Sequence, residues 1–122
     1  MTDTKPLLGA HQSIAGGVHQ ALLRGREAGC DAVQIFVKSP SRWVSKPLTT
    51  EDVAAFQEAR TETGIWPVFG HSLYLLNLAS PDDGLWHKSI EALIDDLERC
   101  EQLGLPGLVM HPGSHMGSGE AT

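Results

Sequence analysis

Ile65-Trp66-Pro67-Val68-Phe69-Gly70-His71 is a short apolar run closed by a histidine, and its length and composition read as a buried strand. The same device recurs on either side of it. Leu7-Leu8-Gly9-Ala10 runs into His11, and Leu108-Val109-Met110 runs into His111. Ala32-Val33-Gln34-Ile35-Phe36-Val37 runs into Lys38 instead. Helix-like stretches separate these strands, so the strands are expected to be parallel, with all four polar ends on one face of one sheet. That face is where α/β proteins place their chemistry. Imidazoles gathered there from distant parts of the chain are the raw material of a metal site.

The intervening segments carry helical signals. Ser13-Ile14-Ala15-Gly16-Gly17 is a turn into a helix on which Val18, Ala21, Leu22, Gly25 and Ala28 recur, with Gly29 placed for a left-handed C-terminal cap. Ser39-Pro40-Ser41-Arg42-Trp43 forms a loop ended by Lys46-Pro47. The second helix opens on Thr49 or Thr50, has Glu51 and Asp52 in its first turn, an inner stripe of Val53, Phe56 and the Arg60 stem, and a stop at Gly64. Asp82 or Asp83 caps the third. There Leu85, Ser89, Ile90, Leu93, Ile94 and Leu97 give the spacing of a core-facing stripe. Gly104 closes it, and a glycine-rich tail follows His111. The fold class is α/β with the order β-α-β-α-β-α-β. A complete (β/α)₈ barrel takes about 250 residues, so residues 1–122 read as one unit: the N-terminal half of such a TIM barrel, four parallel strands and three helices, with the C-terminal half absent. Four parallel strands could also form an open sheet. A half barrel leaves a strand edge and an apolar inner face unpaired, so self-association is expected.

The hydrophobic and charged fractions, 41% and 20%, are those of an ordinary globular chain. No apolar stretch approaches the roughly 20 residues that span a membrane, and no basic-then-apolar leader is present, so a cytoplasmic protein with no membrane partner is expected. Cys30 and Cys100 read as buried thiols rather than a disulfide. The net charge of −6 argues against a broad basic surface for nucleic acid. A local positive site stays open, because Lys38, Arg42 and Lys46 cluster in one loop and bound metals could add charge.

His71 and His111 are the first candidates for metal ligation, since imidazole suits zinc and zinc activates water near neutral pH. Two imidazoles do not complete a zinc site, and a hydrogen-bonded rim histidine is the plainer alternative. His11 could orient a neighbouring loop. His115 is open between ligand, phosphate contact and solvated loop residue. His19 and His87 fall on or beside helices, away from the rim. Lys38 with Ser39, Arg42 and Trp43 offers charge and an aromatic ring to a phosphate backbone, against the alternative of a solvated loop whose Trp43 packs on the barrel. Tyr74 could stack on or wedge between bases, or be structural. Gly16-Gly17 and Gly113-Ser114 are weak anion-binding signals. No Walker A, Rossmann fingerprint or nucleophile elbow occurs.

Five stretches taken together carry a more specific signal. Gly9-Ala10-His11-Gln12-Ser13 with Gly16-Gly17 is followed by Gln34-Ile35-Phe36-Val37-Lys38-Ser39-Pro40-Ser41-Arg42-Trp43, and then by Gly70-His71-Ser72-Leu73-Tyr74-Leu75-Leu76-Asn77-Leu78. Arg99-Cys100-Glu101-Gln102-Leu103-Gly104 and His111-Pro112-Gly113-Ser114-His115 complete the set. In this order and spacing, over nearly the whole chain, they resemble endonuclease IV, the zinc-dependent apurinic/apyrimidinic endonuclease family of bacteria. The resemblance implies a (β/α)₈ barrel with a three-zinc cluster in its mouth, which hydrolyses the DNA phosphodiester 5′ to abasic sites in base excision repair. It implies that His71 and His111 bind one zinc, and that Tyr74 and the loop holding Arg42 and Lys38 contact DNA. His11 and His115 stand as outer-sphere or phosphate contacts. The family's carboxylate ligands and remaining histidines would come from later strands that this sequence lacks, so no catalytic set is complete here and the chain alone is expected to be inactive. Ser41 also departs from the longer polar side chain the family often carries. Two rival readings are a sugar isomerase or epimerase built on a related metal barrel, and a non-catalytic truncated product.

Overall fold

A computed structural model describes residues 8–39, 42–72 and 75–110. Its elements are β1 Gly9–His11, α1 Val18–Glu27, β2 Ala32–Phe36, α2 Thr50–Thr63, β3 Val68–His71, α3 Asp83–Leu103 and β4 Leu108–Val109. The strands form one parallel sheet in the order β1-β2-β3-β4, as helical crossovers between neighbours require.

Register turns this order into two faces. His11 lies opposite Gln34, Gln34 opposite Phe69, Phe36 opposite His71 and His71 opposite Val109. Side chains alternate along a strand, so these six residues share one face. Val33, Ile35 and Val68 take the other face and are buried with Leu22, Phe56 and Leu103 from the helices. Complete burial of a side chain such as Leu22, Ile35 or Phe56 contributes ~1.5–3 kcal/mol each. The first face is the barrel-interior face, and Phe69 and Val109 on it are exposed.

The helix ends follow local chemistry. Thr49 Oγ1 accepts from the Asp52 amide at 3.0 Å while Asp52 Oδ2 accepts from the Thr49 amide at 2.9 Å, a reciprocal capping box. Asp82 Oδ1 accepts from the Leu85 amide at 2.9 Å. Gly64 and Gly104 end α2 and α3 in the left-handed conformation. These boundaries match the sequence reading.

Two expectations are corrected. The stripe expected on α3 faces the core only in part: Ser89 is buried and Leu93 packs on the Leu76 and Ala92 cluster, but Ile94 and Leu97 are 51% and 49% exposed, and the buried set is Ser89, Ala92, Asp96, Arg99, Cys100 and Leu103. The helix is turned by its polar side chains, for which partners lie beneath it. β2 also stops at Phe36 rather than running on to Lys38, and β4 stops at Val109.

α3 comes very close to β3. A Cβ built on Gly70 would lie 2.6 Å from Cys100 Sγ and 3.2 Å from Val37 Cγ1, so glycine is required immediately before His71. Burial, with Asp96 nearby, pushes the Cys100 thiol up to about 11, which leaves it protonated and inert. Gly70→Ala is expected to destabilise the chain by ~1–3 kcal/mol through overpacking, measured as a lowered urea midpoint with an unchanged slope.

Candidate functional site

The C-terminal strand ends bring an aromatic and imidazole cluster together on the inner face. The His11 and Phe36 ring centroids are 4.6 Å apart, Phe36 and His71 5.1 Å, and His11 and His71 6.1 Å, all edge-on. His71 Nδ1 lies 2.6 Å from the Ser72 carbonyl oxygen. A carbonyl only accepts, so that nitrogen carries the proton and Nε2 carries the lone pair, the tautomer a metal-binding histidine uses. His11 is held below its ordinary value of 6.5, chiefly by burial and then by the like charge of His71. Beside this cluster is a cavity of about 510 Å³ lined by His11, Ser13, Ile14, Ala15, Phe36 and Ser39, within the size range of small-ligand sites.

Lys38 is the clear departure from the sequence reading. It does not stand on the rim as a phosphate contact. Its side chain is 1% exposed and runs under α3, where Nζ donates to Asp95 Oδ2 at 2.7 Å and the Ala92 carbonyl at 3.3 Å, with Asp96 Oδ1 at 3.4 Å. Its charge is consumed internally, because an ammonium without partners at this depth costs several kcal/mol. Burial would raise the Asp95 carboxyl, but hydrogen bonds from Lys38 and Arg99 outweigh it and hold the group below its ordinary range.

Arg42 is exposed on the loop between β2 and α2. Trp43 is partly buried against the cluster of Leu76 and Ala92, the packing role expected of it. His19 lies on α1 beside Gln20, and His87 on α3 bonds to the Asp83 carbonyl oxygen, so neither reaches the rim. His111, Tyr74 and His115 lie outside the described residues. Among the described residues no group of three metal-ligating side chains converges, so the fit to a metal is that of one oriented imidazole, His71, with His11 beside it. Sequence reasoning missed Asp95 and Arg99. Their signal was available: an acidic pair in mid-helix with an arginine four residues on, the spacing of an i,i+4 ion pair.

A sequential parallel β/α sheet with imidazoles at the carboxyl ends of its strands defines a protein of the TIM-barrel class, whose chemistry sits at that end. The chain belongs to the family of xylose isomerase-like TIM barrels, whose model matches residues 22–122. It is 53% identical over 115 residues to the probable endonuclease 4 of Chloroflexus aggregans, covering 94% of this chain and 40% of that protein. It is 43% identical over 115 residues to the probable endonuclease 4 of Geobacter sulfurreducens, covering 94% and 39%. The crystal structure of endonuclease IV from Thermus thermophilus superposes with a TM-score of 0.82 at 41% identity, over 89% of this chain and 41% of that one. The chain thus spans about 40% of the length of the curated relatives it matches. No helix among the described residues is long and apolar enough to cross a membrane.

In the metal-free chain, His11 is expected to titrate below 6.5, and His71→Gln should move it part of the way back, since burial remains. The unfolded chain takes up this proton first as pH falls. The His11 contribution to stability is therefore full above 6.5 and lost as the pH drops from there through the lower folded value. Imidazole proton shifts followed by NMR against pH, with and without the substitution, check both statements.

Proposed function

We propose that this chain forms the N-terminal part of a zinc-dependent endonuclease that hydrolyses the DNA phosphodiester 5′ to abasic sites in the cytoplasm, as a step of base excision repair. The supporting observation is the oriented His71 on the inner face at the end of β3, its Nδ1 proton committed to the Ser72 carbonyl, in a chain similar to proteins named endonuclease 4. His71 is one zinc ligand through Nε2. His111 is the second; it follows by two residues Val109, the register partner of His71. The rest of a three-zinc set comes from sequence beyond this chain. Bound zinc supplies Lewis acidity at a phosphoryl oxygen.

The chain's own residues bind and orient. His11 contacts a phosphate beside His71, and His115 is assigned the same role. The cavity next to His11 is large enough for a deoxyribose without its base. Arg42, exposed on its loop, supplies charge to the DNA backbone, and Tyr74 fills the space the missing base leaves in the stack. With a net charge of −6, attraction to phosphate has to be local rather than spread over the surface.

Zinc titration of the purified chain should show weak binding that His71→Ala lowers by at least about tenfold. The chain alone should not nick an abasic duplex. A chimera joining it to the C-terminal remainder of the Chloroflexus aggregans relative should nick 5′ to the site and lose that activity with a chelator or with His71→Ala. Unchanged zinc affinity in His71→Ala, or a chimera indifferent to both treatments, would overturn the assignment. The exposed Phe69 and Val109 also lead us to expect self-association of the isolated chain through its open sheet. Light scattering that returned a monodisperse monomer would count against this.

A further inference from the structure

Two charged ties that fasten the loop between β2 and α2 to α3 meet at one carboxylate oxygen. Asp95 Oδ2 accepts from Lys38 Nζ at 2.7 Å and from Arg99 Nε at 2.9 Å. The outer end of the same guanidinium reaches across to the far side of the loop, where Nη2 donates to the Ser45 carbonyl at 3.1 Å and the Lys46 carbonyl at 2.7 Å. Lys38 precedes Arg42 in the sequence and Ser45-Lys46 follow it. The chain on both sides of Arg42 is therefore tied to one point on α3. Lys38 and Arg99 are 1% and 5% exposed in their side chains, and two consecutive carbonyls that no strand or helix would satisfy are paired with a charged donor.

We infer that Asp95 and Arg99 are positioning residues, which fix the loop around Arg42 to α3 and so set where the Arg42 charge stands relative to His71. Buried ion pairs contribute little net stability compared with well-packed apolar groups, and their attested use is to select one arrangement over others. Here the selected arrangement is a backbone path. Planarity and the fork of donors make arginine necessary, because Nε meets Asp95 while Nη2 meets the two carbonyls, and the single nitrogen of a lysine cannot stand in both places. Trp43 packs on the cluster of Leu76 and Ala92 with the Lys88 ammonium 5.3 Å from its ring centroid, a second tie to the same helix. What Arg42 then touches rests on the endonuclease reading; the clamp does not.

The test uses the full chain with Arg99→Lys, Asp95→Asn and Arg42→Ala. Asp95 is 43% exposed in its side chain, so Asp95→Asn should fold even if Arg99→Lys does not. Backbone order parameters from ¹⁵N relaxation for residues 42–48 should fall from about 0.85 to below about 0.6 in both clamp variants, with α1 values unchanged. Affinity for an abasic duplex should drop about fivefold in Arg99→Lys but not when the change is made in an Arg42→Ala background, since it acts through Arg42. Unchanged order in 42–48, or a drop spread evenly over the chain, would overturn the clamp. Equal losses of affinity in both backgrounds would overturn its action through Arg42. If neither the parent chain nor any variant prefers the abasic duplex, the endonuclease reading fails, and the order parameters alone decide the clamp.

Discussion

Lys38 Nζ is buried between β2 and α3 with two carboxylates and a carbonyl around it, and much of the molecule is arranged to make that burial tolerable. An isolated ammonium at this depth is costly. Asp95 and Asp96 balance Lys38 and Arg99, so the four charges sum to zero beneath the helix. Satisfying them fixes the rotation of α3. Ser89, Asp96 and Arg99 must face inward, and Ile94 and Leu97 are left outside as a result. The same rotation brings Cys100 against Gly70, seating the helix directly over the residue that precedes His71. It also gives α3 a hold on the next loop, where the Ser89 hydroxyl accepts from the Asn77 amide at 2.8 Å.

One helix therefore supports two of the loops that border the candidate site, and it does so with polar groups. Hydrophobic packing is non-directional and would leave each loop a choice of paths. Hydrogen bonds to charged donors are directional and stronger than neutral ones. Below the loops the division of labour reverses: the sheet is fixed by apolar contacts of Val33, Ile35, Val68 and Phe56, which need no particular angle because register already sets the geometry. His71 sits where these two regimes meet, its backbone in the sheet and its ring oriented by a carbonyl at the start of a loop.

Much of this was legible in the residues. Strand identity and direction followed from apolar runs separated by helical spacing. The caps at Thr49, Asp82, Gly64 and Gly104 were readable because their chemistry is local. That His11 and His71 would gather at one end of the sheet followed from parallel strands that each close on an imidazole. What could not be read was anything requiring knowledge of which side of a helix meets the sheet. α3 has an apolar stripe and a polar one, and ordinary patterning favours burying the first; the buried ammonium of Lys38, reached across more than fifty residues, turns Asp96 and Arg99 inward and leaves Ile94 and Leu97 outside. Lys38 itself misled because β2 ends one residue before its apolar run does, which leaves Lys38 two residues past the strand. That small difference turned a presumed rim cation into a core one. The cluster around Phe36 was missed for a simpler reason: a phenylalanine in an apolar run gives no sign that two imidazoles will flank it.

The strand order has a consequence for biosynthesis. Each strand pairs with the one made just before it, so no strand need wait for a distant strand. A nascent chain leaving the ribosome can add β2 to β1, and then β3 to β2, each new unit docking on a finished template. The late partner is α3, whose Asp95 and Arg99 reach back to residues synthesised long before. Until that helix emerges, the lysine it will cover stays hydrated, and the loop near it stays unfastened.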